Sequence, residues 1–145
     1  MISTSLLLLL LATVHRVHCV ELIQPGSTVL TPGQSMTLTC KVSGYSLTDS
    51  NYCTGWIRQP AGKALEWIGY INNGGSTAYS DKLKNKFSIS RDTATNTITI
   101  GGQNLQTEDT AVYYCARDSG YNAFDYWGKG TTVTVTSAVQ SAPKS

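Results

Sequence analysis

From Met36 to Val42 apolar and polar side chains alternate strictly. Met36, Leu38, Cys40 and Val42 share one parity, and Thr37, Thr39 and Lys41 take the other. A period of two marks a strand with one buried face. It returns in Phe87 and Ile89 with Ser88 and Ser90, in Ile98 and Ile100 with Thr97 and Thr99, and in Val133 and Val135 with Thr132, Thr134 and Thr136. Nothing in the chain sustains a helical period. Turn signals at Pro32-Gly33, Pro60-Ala61-Gly62, Asn73-Gly74-Gly75, Arg91-Asp92 and Gly101-Gly102 separate the runs. Short strands at such intervals predict an all-β fold, a sandwich or barrel of antiparallel sheets. Leu105 to Thr110 has room for one helical turn, expected as a crossover between the sheets.

The two ends depart from this pattern. Leu6 to Leu11 is an unbroken apolar run, too short to span a bilayer but suited to the core of a secretory signal, although a charged segment before it is missing. Val17 and Cys19 meet the small-residue rule for cleavage after Cys19, and Pro25, Gly26, Pro32 and Gly33 break any helical continuation. Residues 1–19 are therefore expected to be a signal peptide and 20–137 a single domain. The last eight residues, 138–145, lose the alternation and read as the start of a following segment.

Composition narrows the function. Only 14% of the 145 residues are charged, against roughly 25% in an average globular chain, while Ser and Thr together number 34. The net charge of +2 is spread without runs, which gives no case for nucleic acid or an anionic membrane surface. Both histidines, His15 and His18, lie in the leader, so the remainder has no Ser-His pair and no His metal site. Asp118 with Ser119 stands in a loop without histidine, and Asp81 and Asp92 have no phosphate-cradling turn nearby. Gly128-Lys129-Gly130 lacks the rest of any nucleotide motif and reads as a bulge opening the last strand. Three scattered cysteines do not make a zinc site. Neither enzyme activity nor a cofactor is expected. Secretion places Cys40, Cys53 and Cys115 in an oxidising compartment, where their odd number leaves at least one thiol without an intrachain partner.

Cys40 and Cys115 lie 75 residues apart on the inward parity of their strands. Trp56 follows the first by sixteen residues, and Tyr113 precedes the second by two on the same face. This constellation resembles the core of an immunoglobulin sandwich. The motifs Trp56-Ile57-Arg58-Gln59, Leu65-Glu66-Trp67-Ile68-Gly69, Glu108-Asp109-Thr110-Ala111-Val112-Tyr113-Tyr114-Cys115-Ala116-Arg117 and Trp127-Gly128-Lys129-Gly130 make the resemblance specific. Together they resemble an antibody heavy-chain variable domain, from about Val20 to Ser137. Light chains and T-cell receptor chains usually carry Phe where Trp127 stands. Tyr52-Cys53-Thr54-Gly55 and Ala61-Gly62-Lys63-Ala64 resemble bony-fish heavy chains more than mammalian ones.

The resemblance implies a V-type Greek-key sandwich of two antiparallel sheets, with a Cys40–Cys115 disulfide packed on Trp56 and a tyrosine corner at Tyr113. It implies ion pairs of Lys86 with Asp109 beneath the sandwich and of Arg117 with Asp125 at the base of the third hypervariable loop. In the first pair Lys stands where Arg is commoner and loses bidentate geometry. Parity turns Tyr114, Ile57 and Gln59 outward, and resemblance adds Leu65, Trp67 and Trp127. The result is an apolar face that a solitary domain would rarely leave bare. Gln59, Leu65, Trp67, Tyr114 and Trp127 are therefore expected to meet an immunoglobulin light chain. Antigen is expected at loops Gly44 to Cys53, Ile71 to Thr77 and Ala116 to Tyr126. The contact residues named are Tyr45, Asp49, Asn51, Tyr52, Tyr70, Asn72, Asn73, Asp118, Ser119, Tyr121 and Asn122, a set rich in the rigid Tyr and adaptable Asn and Ser of paratopes. Tyr121, between Gly120 and Asn122, is the expected anchor. Cys53 is expected to remain outside the core disulfide. The implied location is outside the cell, secreted or on the B-cell surface. A variable-type cell-surface receptor of another class is the alternative reading, and a hydrolytic enzyme a distant third.

Overall fold

The computed structural model describes residues 19–120 and 124–137. The expected leader before residue 19 and the segment 138–145 lie outside that range, as do Tyr121 and Asn122.

Among the described residues eleven strands form two sheets packed face to face. The smaller sheet holds β1 (Glu21–Ile23), β3 (Met36–Ser43), β8 (Thr97–Gly102) and β7 (Phe87–Asp92), ordered β1-β3-β8-β7. The larger holds β2 (Ser27–Leu30), β11 (Thr131–Val135), β9 (Ala111–Asp118), β4 (Cys53–Gln59), β5 (Glu66–Ile71) and β6 (Thr77–Tyr79) in that order, with β10 (Phe124–Trp127) paired to β9. A single 3-10 turn, Thr107–Asp109, fills the place predicted for a helical crossover. The alternating runs are β3, β7, β8 and β11, and each presents one apolar face to the opposite sheet. In β3 the burial alternates residue by residue over all eight positions.

One pairing departs from the antiparallel expectation. β2 runs parallel to β11, with Ser27 to Leu30 opposite Thr132 to Val135. Pro25-Gly26 separates β1 from β2, and Pro25 has no N–H to continue the first ladder. The chain therefore leaves the smaller sheet after Ile23 and joins the edge of the larger one.

The core lies between the sheets. Cys40, Trp56, Ile68, Ile98, Ile100, Leu105, Tyr113, Cys115 and Val133 are all fully buried. Cys40 and Cys115 are disulfide-bonded, which ties β3 to β9 across the interior. Among the described residues Cys19 and Cys53 are free thiols. A ring closed over a sequence separation of 75 removes enough unfolded-state entropy to stabilise the domain by roughly 4 kcal/mol, comparable with the net stability of a small domain. Cys40→Ala is expected to reduce secretion sharply and lower the urea midpoint, whereas Cys53→Ser leaves both near wild type. Mass mapping of the secreted protein checks the pairing: a peptide linking Cys53 to Cys40 or Cys115 would contradict it.

Candidate functional site

Strand β9 supplies both faces of the molecule's functional end. Tyr113, Cys115 and Arg117 are buried along one row, while Tyr114 and Asp118 on the alternate row are half-exposed on the outer face of the larger sheet.

At the lower end of the inner row, the Tyr113 hydroxyl donates to the Asp109 carbonyl at 2.7 Å. The Asp109 carboxylate beneath it is almost fully buried. It accepts from Lys86 Nζ at 2.8 Å, from Arg58 Nη1 at 2.9 Å and from the Gln106 N–H at 2.8 Å. The sequence reading paired Lys86 with Asp109 but did not include Arg58. Arg58 also donates to the Tyr113 hydroxyl at 3.1 Å and through Nε to Glu66 at 2.7 Å. A second cation thus makes up for the single-point geometry of Lys86. The signal was legible, because Arg58 shares the inward parity of Trp56, and a charge aimed at a core requires a charged partner.

Burial alone would push the Asp109 carboxyl up, but the Gln106 N–H, Lys86 and Arg58 overcome it and hold the group below the usual carboxylate range. Glu66 is likewise held low against burial by Lys82 and Arg58. Burial pushes the Tyr113 phenol up to about 12.

At the upper end, Arg117 forms a bidentate pair with Asp125, through Nε at 3.1 Å and Nη2 at 2.6 Å. Its guanidinium carbon lies 3.8 Å from the ring centroid of Tyr52, 4.8 Å from Tyr126 and 5.0 Å from Tyr45. Tyr45 and Tyr52 pack edge to face at 5.4 Å. Three rings and a carboxylate therefore enclose one cation and join the first loop to the third. Tyr45 is drawn inward by this packing. Its hydroxyl contacts Thr54 Oγ1 at 2.6 Å, and burial pushes its phenol up to about 12. A second arginine joins the first loop to the second, since Arg91 Nη1 donates to the Leu47 carbonyl at 3.0 Å and to the Asn72 carbonyl at 3.1 Å.

The loops are shorter than the sequence suggested. Asp118 pairs with Cys53 on β4 and with Phe124 on β10, so both ladders extend into the segments expected to be loop. Ile71 and Thr77 close the second loop by pairing with each other. Within it the Asn72 carboxamide oxygen accepts from the Gly74 and Ser76 N–H groups, which gives this residue a structural task. Asp49 accepts from the Asn51 N–H, and Asn51 is exposed. Asn73 and Ser119 are half-exposed. Tyr70, just before the second loop, stands beside Trp67 at 5.8 Å. Cys53 is half-buried, and its thiol is pushed up by burial and by the nearby Asp118 charge, the reverse of an activated nucleophile.

Leu65 is 51% and Trp127 40% exposed, and on the outer face Tyr114 packs edge to face on Trp127 at 5.7 Å. Ile57, expected on that outside, is buried. It pairs with Tyr114 on one side and Trp67 on the other, whose rings flank it. Gln59 is exposed, with Nε2 donating to the Lys63 carbonyl. Missed altogether was Gln24, whose carboxamide donates to the Tyr113 carbonyl and accepts from the N–H groups of Cys115 and Gly130, binding the N-terminal strand to the last two long strands.

Two sheets joined by a Cys–Cys bond over a buried Trp, with a tyrosine corner and paired hairpin loops at one end, define a variable-type immunoglobulin domain. The immunoglobulin V-set domain model matches residues 23–136, and the chain belongs to that family. Its relatives include Ig heavy chain V regions. It is 48% identical over 134 residues to MOPC 315 of Mus musculus, covering 92% of this chain and 97% of the relative. It is 52% identical over 116 residues to XIG14 of Xenopus laevis, covering 79% and 84%, and 44% identical over 126 residues to MOPC 141 of Mus musculus, covering 81% and 86%. It is a heavy-chain type variable domain, a binding module and not an enzyme.

The buried carboxylates set the acid limit of the fold. A carboxyl held low in the folded state contributes stability that is complete above its unfolded value of about 3.9 and is lost as the pH falls through the folded value. Stability in urea should therefore be flat above about pH 5 and fall below about pH 4. Asp109→Asn should lower the urea midpoint at pH 7 and show a shallower acid loss. An equal acid slope in the two proteins would show that Asp109 does not carry it. The tyrosine cage gives a separate expectation. Arg117→Lys keeps the charge but loses the fork and the planar stacking, so amide exchange at Asp118 and Phe124 should quicken while the global urea midpoint moves little.

Proposed function

We propose that the chain is the heavy-chain half of an antibody or B-cell receptor combining site. It pairs with an immunoglobulin light chain through Gln59, Leu65, Trp67, Tyr114 and Trp127 and binds antigen without covalent chemistry. The observation that carries this reading is the exposed apolar face. Leu65 and Trp127 are exposed large hydrophobic side chains, Trp127 packs on Tyr114, and the family resemblance sets Leu65 and Gln59 on the same face. Covering them contributes at ~25 cal/mol per Å² of apolar surface, before association entropy is subtracted. Two arginine centres hold the three loops together at one end, as a preformed paratope requires. Antigen contact is assigned to Asp49, Asn51, Tyr52, Asn73, Asp118 and Ser119, with Tyr121 and Asn122 carried from the sequence alone. Tyr45 and Asn72 act behind them as supports.

Such domains act outside the cell or at its surface, and no helix among the described residues is long and apolar enough to cross a membrane. The domain is assigned to residues 20–137, with a signal peptide before it and a constant region begun after it.

Co-expression with a light chain is the test. The expected product is a one-to-one heterodimer by light scattering, and Leu65→Arg should weaken pairing at least tenfold while the Cys40–Cys115 bond still forms. A heavy domain that stays monomeric at high concentration and gains nothing from a light chain would sink the proposal.

A further inference from the structure

Above the apolar face the larger sheet opens into a cleft of about 310 Å³ lined by Trp67, Tyr70, Asp118 and Phe124. Strand register builds it. Gly55 pairs with Tyr70 on one side and Ala116 on the other, so the two smallest side chains of the region sit between the larger ones. One step along, Asp118 pairs with Phe124. Gly55 is required there, because a Cβ would run into the Gly69 carbonyl and Tyr70. Trp67 and Tyr70 stand with ring centroids 5.8 Å apart at 47°.

The cleft carries one carboxylate, that of Asp118. Asp118 Oδ1 accepts from the Gly120 N–H at 2.7 Å, but among the described residues the carboxylate forms no ion pair. Its chain neighbour Arg117 is committed to Asp125 and the tyrosine cage on the other row. Three aromatic rings, whose faces are electron-rich, and one carboxylate therefore border the same opening. Both attract a cation and repel an anion, and the rings also accept an apolar stem.

The geometry points to a specificity subsite for an ammonium or guanidinium group on an aliphatic stem, with the stem against Trp67 and Tyr70 and the charge at Asp118. On a protein antigen this is a Lys or Arg side chain; on a small antigen it is an alkylammonium. The assignment rests on the reading that this end of the domain binds antigen, and it adds the chemical class of group bound.

The test uses the intact antibody assembled from this heavy chain and a light chain. In saturation-transfer difference NMR, n-butylammonium and n-butylguanidinium at matched ionic strength are compared with butyrate. Signal is expected on the methylenes of one or both cations, at least fivefold stronger than on butyrate, and it should disappear in Asp118→Asn. The stronger cation indicates whether Lys or Arg is preferred. Equal signals for cations and butyrate, no signal at all, or full signal retained in Asp118→Asn would overturn the subsite. Panning the same antibody on a random dodecapeptide library separates this outcome from the broader reading. Peptides that bind, lack any cationic position and lose affinity in Tyr52→Ala but not Asp118→Asn leave antigen binding standing and remove the subsite. Cation binding at Asp118 without any enriched peptide leaves a cation site there and overturns its assignment to antigen.

Discussion

Everything at the functional end depends on where β9 is fixed, and the Cys40–Cys115 bond fixes it. That bond holds β9 to the opposite sheet, Gln24 holds its backbone from the N-terminal strand, and the Tyr113 hydroxyl anchors its start to the Asp109 carbonyl. Once these three constraints hold, strand parity leaves no freedom for the residues that follow. Arg117 must continue the inner row and meet the tyrosines, while Asp118 must appear on the outer face next to Phe124. A slip of one residue would exchange the two, leaving a guanidinium on the seam and a carboxylate among tyrosine rings.

The two buried charge centres work differently. At the lower end Asp109 is neutralised from two sides, by Lys86 and by Arg58, which itself spans Glu66. Removing one member leaves a desolvated charge, so this network is stabilising mainly because it is complete. At the upper end Arg117 is neutralised by Asp125, and the remaining contact is with aromatic faces. Rings tolerate small displacements that a fork of hydrogen bonds does not, which suits a junction between two loops better than a second carboxylate would.

The sandwich was legible because its information is local. Period-two alternation in Met36 to Val42 and in the later runs needs only neighbouring residues, and the burial of these same positions follows from it. The disulfide, Trp56 and Tyr113 were legible through their spacing and family resemblance. Gln24 was not, because its partners stand 89 to 107 residues away and nothing adjacent to it marks them. Loop lengths were misjudged for a related reason. Whether Asp118 is loop or strand is decided by Cys53 and Phe124 across the ladder, not by its own neighbours. Arg58 lies between these cases, since its inward parity marked it as needing a partner but could not say which one.

The outer face shows how one sheet serves two kinds of contact. Gly130 has φ +92°, a conformation that suits glycine, and a Cβ there would run into Val112 and the Tyr114 ring. Its absence leaves room for the Tyr114 ring, which meets Trp127 edge to face. Farther along the same face Gly55 pairs with Tyr70 and Ala116, and there the Gly69 carbonyl and Tyr70 fill the space a Cβ would need. An exposed apolar patch favours a partner that buries it, whereas an opening that bears a carboxylate favours one of opposite charge. The two regions thus differ in what surrounds the two glycines, and Trp67 stands between them, beside Tyr70 on its own strand and opposite Ile57 on the next.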